Sequence, residues 1–289
     1  MTRRFVSLQR AGGIATIAFD REEALNALTL DMIEELDGLL AQIDGATDIR
    51  AVLMRGEGRA FMAGGDLDYL RVAEDAPAAA GATIHCLNRT ILRLTRLSKP
   101  TVACVHGVVA GAGLSILMAC DVTVAARDCR FVYAYDAIAA VPDGGLSHFL
   151  PRTVGLGRAL KFAFLKGELT ADEAESLGLV AMTVPAPELL RSATAIAEKL
   201  SGGNREALVR TRRLFRENFN RPLEDQLEQE RTAFMACAGT AAFQAAIETF
   251  FAERAARKLK SSASAISVCA FIRRPAAWGS WGWICSNAG

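Results

Sequence analysis

Several features that would place this chain in a specialised class are missing from its sequence. The 289 residues carry a formal charge of only +1. Because the basic residues are scattered, neither a nucleic acid nor an acidic membrane surface is expected as a partner. No run of 18 or more apolar residues occurs, which predicts no membrane-spanning helix. Two arginines near the start are followed by no uninterrupted apolar stretch, so no secretory signal is expected.

The seven cysteines are not arranged for metal binding or for a disulfide framework. Their number is odd, none belongs to a Cys-x-x-Cys pair, and several lie within apolar stretches. A free thiol in such a stretch acts as a small hydrophobic side chain. We therefore expect no metal site and a reducing, cytoplasmic compartment.

The order of strand and helix patterns predicts an α/β protein. Hydrophobic residues make up 51% of the chain, enough for a large core. Strand patterns lie in the first half, whereas the last third is almost wholly helical, which predicts a layered core with a helical extension. The predicted strands are Phe5–Leu8, Ile14–Phe19, Ala51–Met54, Val102–Val105 and Val122–Ala125. The predicted helices are Leu30–Ile43, Ile84–Leu97, Thr170–Leu177 with a capping box, Glu188–Leu200, Arg205–Phe219, Leu223–Met235 and Ala241–Arg257.

Two stretches depart from these patterns. A short helix is predicted at Asp66–Val72, and both this helix and the alanine-rich stretch Ala73–Ala82, which contains Pro77, are predicted to be mobile. From about Leu259 the helical pattern gives way to serine-rich and then tryptophan- and glycine-rich sequence. We interpret this end as a disordered or non-native tail; the alternative is an arm that packs on a neighbouring subunit.

Two glycine-rich turns are candidates for binding an anion through backbone N–H groups. Gly64 and Gly65 follow a predicted strand, and adjacent glycines allow the backbone to approach a ligand closely. Gly111-Ala112-Gly113 joins a strand to an apolar helix, which leaves free N–H groups and the positive end of the helix dipole at that point. The glycine spacing does not match the dinucleotide-binding fingerprint, which excludes a dinucleotide oxidoreductase.

Asp143 is the candidate acid–base residue. It lies in Pro142-Asp-Gly-Gly145 at the entrance of a predicted helix. An aspartate in that position is either a helix N-cap or a reactive carboxylate, and the local sequence alone leaves both roles open. If Ile138, Val141 and Leu146 surround it, their apolar side chains should raise the pKa of Asp143 and strengthen it as a base.

These turns, in this order, resemble the crotonase (enoyl-CoA hydratase/isomerase) superfamily from about Phe5 to Arg257. The matching segments are the Gly-Gly-Asp turn, Lys99-Pro100 with His106-Gly107, Gly111-Ala-Gly113 with Cys120-Asp121, Pro142-Asp-Gly-Gly145 with Leu150-Pro-Arg152, and Lys166–Val180. The resemblance implies a spiral of ββα units followed by a helical trimerisation region. It divides the chain into a spiral core at 1–200, an oligomerisation region at 201–258 and the atypical tail at 259–289.

The resemblance also implies a set of site residues and partners. The backbone N–H groups of Gly65 and Ala112 would form an oxyanion hole for an acyl-CoA thioester, whose coenzyme A is part of the substrate, with no further cofactor. The groove for coenzyme A would be lined by Ala24, Leu25, Ala63, Asp66 and Leu67, with Phe251 and Arg254 contacting it across a subunit boundary. A homotrimer or a dimer of trimers is expected.

Departures from the family pattern bear on the reaction. Where the hydratases have two glutamates, this chain has Ser115 and Tyr135. Asp143 follows Tyr135 by eight residues and matches the aspartate of the double-bond isomerases, most closely the 1,2-epoxyphenylacetyl-CoA isomerase type. We therefore expect an acyl-CoA isomerase in which Asp143 moves the proton. Tyr135 is expected to be a wall of the acyl pocket, and Ser115 a space-filling or water-holding residue.

Three alternatives stay open at this point. The first is an enoyl-CoA hydratase with an atypical site. The second resembles the 4-chlorobenzoyl-CoA dehalogenases, in which an aspartate is the nucleophile and a histidine the base; here Asn88 occupies the base position and His85 lies one helical turn earlier. The third is a coenzyme A-binding homologue that has lost catalysis, which the absence of both glutamates supports.

Overall fold

The computed structural model describes residues 4–271, with side chains for residues 4–257. The strands among them are β1 (Val6–Ala11), β2 (Ile14–Phe19), β3 (Ala51–Gly56), β4 (Thr101–Val105), β5 (Val108–Ala110), β6 (Val122–Ala126), β7 (Arg130–Val132), β8 (Glu168–Thr170) and β9 (Met182–Val184). The helices among them are α1 (Leu30–Gly45), α2 (Leu67–Val72), α3 (Ala76–Arg96), α4 (Ala112–Ala119), α5 (Leu146–Val154), α6 (Leu156–Lys161), α7 (Ala171–Ser176), α8 (Leu189–Gly202), α9 (Arg205–Glu217), α10 (Leu223–Ala238) and α11 (Ala241–Phe271).

Within the described range the strands form two sheets. The larger has the order β1-β2-β3-β4-β6-β9, in which β1 and β2 are antiparallel and the other neighbours are parallel. The smaller has the order β5-β7-β8. Every residue of β4 is buried, as expected for a parallel strand covered on both faces. The predicted α/β class is therefore confirmed.

Helix capping explains where several elements begin. The Thr29 side chain accepts the N–H of Met32 at the start of α1. The capping box predicted for α7 is present, since Thr170 and Glu173 exchange side-chain and backbone hydrogen bonds. Such caps satisfy N–H groups that have no partner inside the helix.

Two sequence predictions about helix limits were wrong. A helix was predicted to begin at Ile84, but α3 begins at Ala76, because the Asp75 side chain caps the N–H of Ala78 and Pro77 occupies the first turn, where proline is tolerated. The mobility expected for 66–82 stays a prediction. At the other end, α11 continues beyond Leu259 to Phe271, in a stretch that contains neither glycine nor proline. The rest of the predicted tail lies outside the described residues.

The chain divides into two compact units, the first ending at Gln226 and the second beginning at Leu227. Helix α9 belongs to the first unit, where Arg212 pairs with Asp121 at 2.7 Å and donates to the carbonyl oxygen of Leu94. The domain limits at 200 and 258 stay predictions. In the described part of the chain no single helix is long and apolar enough to cross a membrane, although α10 and α11, bent by 82°, meet that criterion as a pair by length and composition.

Candidate active site

A cavity of about 220 Å³ lies in the first unit, and the three predicted catalytic residues line it together. These are Gly65, Ala112 and Asp143. They come from three separate turns of the chain, one after β3, one at the start of α4 and one before α5. The remaining wall is largely apolar, with Leu30 and Ile84 among its members.

Backbone pairing brings the two glycine turns side by side. Met62 bridges Val109 in parallel, with the Met62 N–H donating to the Val108 carbonyl at 3.2 Å and the Ala110 N–H donating to the Met62 carbonyl at 2.9 Å. Because the bridge is parallel, the two segments run in the same direction from Met62 and from Val109 into their turns. This register places the turn at Gly64–Gly65 beside the turn at Gly111–Ala112.

The N–H of Gly65 is turned away from its neighbouring strand. Leu28 donates to the carbonyl of Gly64 at 2.7 Å and accepts from the N–H of Asp66 at 2.8 Å. Since these flanking groups point toward Leu28, the N–H between them points to the opposite side. Among the described residues it donates to no protein acceptor.

Ala112 supplies a second unpaired N–H because it is the first residue of α4. The first N–H groups of a helix have no acceptor within that helix, and they lie at the positive end of its dipole. Gly111, which precedes it, donates to the carbonyl of Val132 at 3.2 Å. Gly65 and Ala112 both line the cavity, and neither N–H donates to a protein acceptor among the described residues.

Asp143 is not the N-cap of α5; Gly145 occupies that position. The Asp143 carboxylate instead accepts a hydrogen bond from the Tyr135 hydroxyl, with 2.8 Å between Oη and Oδ1. Burial raises the pKa of Asp143, although the bond from Tyr135 acts in the opposite direction. A carboxyl group with a raised pKa is a stronger base once it is ionised.

The predicted apolar surroundings of Asp143 are only partly as expected. Leu146 is buried, but Ile138 is 46% and Val141 79% exposed, although both line the cavity. Tyr135, which is 6% exposed and lies on the cavity wall, covers the carboxylate.

Ser115 is fully buried in α4 and does not line the cavity. Its hydroxyl donates to the backbone carbonyl of Asp143 at 2.9 Å. A β-carbon added to Gly144 would lie 2.8 Å from the β-carbon of Ser115, so the Ser115 side chain packs directly against the Gly144 backbone. Gly144 has φ +54°, and the turn therefore requires glycine both for its conformation and for this contact.

The residues predicted to line a coenzyme A groove fall into two groups. Ala63, Asp66 and Leu67 line the cavity, and Asp66 also caps α2 and pairs with Arg21 at 2.7 Å. Ala24 and Leu25 do not line it; they lie on the adjoining segment, where the Leu25 carbonyl accepts the N–H of Ala63 at 3.0 Å.

Phe251 and Arg254 lie on α11 in the second unit, and both are exposed. His85 and Asn88, the two candidate bases of the dehalogenase alternative, are exposed on α3 and do not line the cavity.

Sequence reasoning missed a buried residue that shapes this region. The Asn26 side chain accepts the N–H of Arg21 at 2.8 Å and donates to the carbonyls of Glu57 at 3.0 Å and Ala60 at 2.8 Å. It has φ +57°, a conformation that asparagine tolerates better than most residues. The one signal available was a lone amide within the apolar run Ala24–Leu30. Tyr69, on α2, is a further cavity residue that was not predicted.

Comparisons with known proteins agree with this geometry. The enoyl-CoA hydratase/isomerase family model matches residues 9–261. The chain is 31% identical to the 1,2-epoxyphenylacetyl-CoA isomerase of Escherichia coli K12, over 84% of this chain and 93% of that protein. It is 30% identical to the short-chain-enoyl-CoA hydratase of Clostridium acetobutylicum, over 86% of this chain and 95% of that protein.

Solved structures show the same architecture. An enoyl-CoA hydratase from Polaromonas sp. JS666 superposes with a TM-score of 0.83 at 29% identity, over 86% of this chain and 97% of that one. An enoyl-CoA hydratase from Bacillus anthracis superposes with a TM-score of 0.81 at 27% identity, over 86% and 97% of the two chains. The crotonase-like fold expected from the sequence is confirmed, and this chain belongs to the enoyl-CoA hydratase/isomerase family.

Proposed function

We propose that this member of the family is an acyl-CoA isomerase that moves a carbon–carbon double bond by proton transfer through Asp143. The observation that carries the proposal is the meeting of one available carboxylate with two unpaired backbone amides at a single cavity. The other carboxylate on the cavity wall, Asp66, is engaged by Arg21 and by the cap of α2. One available carboxylate suffices to take up and return a proton.

The reaction begins with the thioester carbonyl oxygen between the N–H groups of Gly65 and Ala112. The ionised Asp143 takes a proton from the carbon next to the carbonyl, and the electron pair moves onto the carbonyl oxygen to form an enolate. Asp143 then returns the proton to the far carbon of the conjugated system, and the double bond ends in its new position. No atoms are gained or lost.

Magnitudes show why the amides matter. A carboxylate alone is too weak a base to form an enolate at a useful rate, and an oxyanion-hole donor is typically worth about 3–4 kcal/mol in the transition state. Positioned acid–base transfer adds roughly a hundred- to ten-thousand-fold. The pKa of Asp143 is raised by burial, which brings the carboxylate closer in basicity to its task.

Hydration is less well supported by this site. It requires the activation and protonation of water, a task for which the related hydratases use two glutamates. Ser115 is buried against Gly144 and bound to the Asp143 carbonyl, and Tyr135 is bound to the Asp143 carboxylate. Neither residue is a base. The substrate of this proposal is therefore an unsaturated acyl-CoA whose acyl chain enters the apolar part of the cavity.

The same proposal includes the wider properties expected from the sequence. The reaction uses no cofactor beyond the coenzyme A of the substrate. A homotrimer or a dimer of trimers, contact of Phe251 and Arg254 with coenzyme A of a neighbouring subunit, and a cytoplasmic location complete it.

The test compares purified wild type with Asp143→Asn on 3-enoyl-CoA and 2-enoyl-CoA substrates of several chain lengths. We expect wild type to isomerise the 3-enoyl substrates and Asp143→Asn to lose at least about a hundredfold in kcat. Isomerase activity within tenfold of wild type in the variant would refute the proton shuttle. Preferential hydration of 2-enoyl-CoA would indicate a hydratase, halide release from a haloaryl-CoA a dehalogenase, and coenzyme A binding without turnover an inactive homologue.

A further inference from the structure

Tyr135 is the nearest polar neighbour of the Asp143 carboxylate. Its hydroxyl donates to Oδ1 across 2.8 Å, and both residues line the same cavity. The hydroxyl therefore stands beside the atoms that would carry the proton, which gives it more than the wall-forming role predicted from the sequence.

The hydrogen bond has a fixed direction. Burial, and then the negative charge of Asp143, raise the pKa of Tyr135, so its hydroxyl stays protonated and acts as the donor to the carboxylate. Oδ1 is thereby occupied. Among the described residues, Tyr135 is the one side chain that donates to this carboxylate, and the Asp143 backbone N–H also lowers its pKa.

Both partners are held in place by their surroundings. The Tyr135 ring packs edge-to-face against Tyr133 with 5.2 Å between centroids, and its backbone carbonyl accepts the N–H of Ala140 at 2.9 Å. On the other side, the Ser115 hydroxyl holds the backbone carbonyl of Asp143. A pair with both ends fixed has little freedom to rotate, which is the condition for a carboxylate to keep one orientation.

We propose that Tyr135 is a positioning residue that fixes the Asp143 carboxylate through Oδ1 and leaves Oδ2 to take up and return the substrate proton. This inference rests on the proposed isomerase function and assigns a specific task to the residue that replaces the second glutamate of the hydratases. Where the hydratases have two acidic residues, this site thus has one acidic residue, Asp143, and a tyrosine that orients it.

Kinetics of Tyr135→Phe test this role against a matched control. Tyr133→Phe removes the hydroxyl of the adjacent buried tyrosine, which makes no hydrogen bond to Asp143. We expect Tyr135→Phe to lower kcat by about 10- to 100-fold with KM changed by less than about threefold. Tyr133→Phe should leave both constants near wild type.

The pH dependence of kcat/KM separates positioning from simple packing. The hydrogen bond from Tyr135 lowers the pKa of Asp143 and opposes the effect of burial. Its removal should therefore raise that pKa and move the acidic limb of kcat/KM to higher pH in Tyr135→Phe. A packing defect alone would lower activity without moving that limb.

Nuclear magnetic resonance of the protein without substrate tests the hydrogen bond between Tyr135 and Asp143 directly. The chain has only three tyrosines, Tyr69, Tyr133 and Tyr135, so carbon-13 at Cζ gives three resonances that single Tyr→Phe variants assign. The Tyr135 resonance should shift as Asp143 is protonated at falling pH. It should not show this titration in Asp143→Asn, and the Tyr133 resonance should not follow it in either protein.

The outcomes are distinguishable. Unchanged kcat and an unmoved acidic limb in Tyr135→Phe would overturn the positioning role even if the isomerase function holds. If wild type has no isomerase activity, the proposed function and the catalytic role of Tyr135 fail together, while a titrating Tyr135 resonance would still show that the hydrogen-bonded pair exists. A resonance that does not titrate with Asp143 would overturn the pair itself.

Discussion

A β-carbon on Gly111 would lie 3.6 Å from the α-carbon of Gly64. The two glycine turns that present the proposed oxyanion donors thus lie side by side, although these glycines are 47 positions apart in the sequence. Gly64 has φ +103°, and Gly111 has φ +48° with ψ −121°. Such backbone conformations are open to glycine and costly for other residues, so the contact depends on both glycines.

The first prediction concerns Gly111→Ala. The backbone conformation at this position is unfavourable for alanine. Keeping it should cost about 1–3 kcal/mol of stability, and relaxing it should displace the start of α4 together with the N–H of Ala112. We expect kcat to fall by about a hundredfold, as for the loss of one oxyanion-hole donor. Steady-state kinetics and thermal unfolding check both effects.

Gly38→Ala is the matched control for that substitution. Gly38 lies inside α1, and nothing lies within 4 Å of an added β-carbon there. Alanine should stabilise the helix by about 0.5–1 kcal/mol and leave kcat unchanged. Equal loss of activity in both variants would contradict a special role for the Gly64–Gly111 contact.

The second prediction concerns Asn26, which is fully buried and holds three backbone groups. Asn26→Ala should destabilise the protein by about 3 kcal/mol, because the carbonyls of Glu57 and Ala60 lose their donor. Asn26→Asp keeps the shape but removes that donor and places a carboxylate against two carbonyl oxygens. It should be at least as destabilising at neutral pH, which chemical denaturation measures.

The third prediction concerns Ser115, which stands where the hydratases have a glutamate. Ser115→Glu should destabilise the protein by at least about 3 kcal/mol, because a larger, ionisable side chain must fit against the Gly144 backbone in a fully buried position. Ser115→Ala removes one hydrogen bond and should cost about 1 kcal/mol. A stable Ser115→Glu protein that hydrates 2-enoyl-CoA would show that the space exists.

The fourth prediction links activity to stability at Asp143. Its pKa is raised in the folded protein, so the folded state binds this proton more tightly than the unfolded state does. Protonation of Asp143 therefore stabilises the folded state. This stabilisation is complete below the pKa that Asp143 has in the unfolded state, and it is lost as the pH rises through the pKa that it has in the folded state. Near pH 7, Asp143→Asn should therefore be more stable than wild type, since its amide oxygen can still accept from Tyr135, while its kcat falls at least about a hundredfold.

Thermal unfolding across pH checks this trade-off. The stability gain of Asp143→Asn should shrink as the pH falls and the wild-type carboxylate becomes protonated. Asp136→Asn is the control, because Asp136 is exposed and does not line the cavity. Equal stability of wild type and Asp143→Asn at every pH would contradict a carboxylate whose pKa is raised by burial.

Much of the fold was readable from local patterns. The helical spacing at Leu30–Ile43 and the capping box at Thr170 depend on residues a few positions apart, and both elements formed as predicted. The start of α3 was missed, because an alanine-rich stretch with Pro77 has little periodicity and the cap by Asp75 was overlooked. Exposure of Val141 was also not predictable, since it depends on which elements pack around the cavity.

The amino-acid order by itself determined the family, the α/β class and the residue types at the site, because these follow from short-range spacing and from motifs in a constant order. Only the tertiary structure decided that Gly65, Ala112 and Asp143 line one cavity, and that the Asp143 carboxylate is bound by Tyr135 rather than capping α5. Those relationships depend on strand register and on turns distant in sequence. Their geometry is set by long-range packing, which no local pattern encodes.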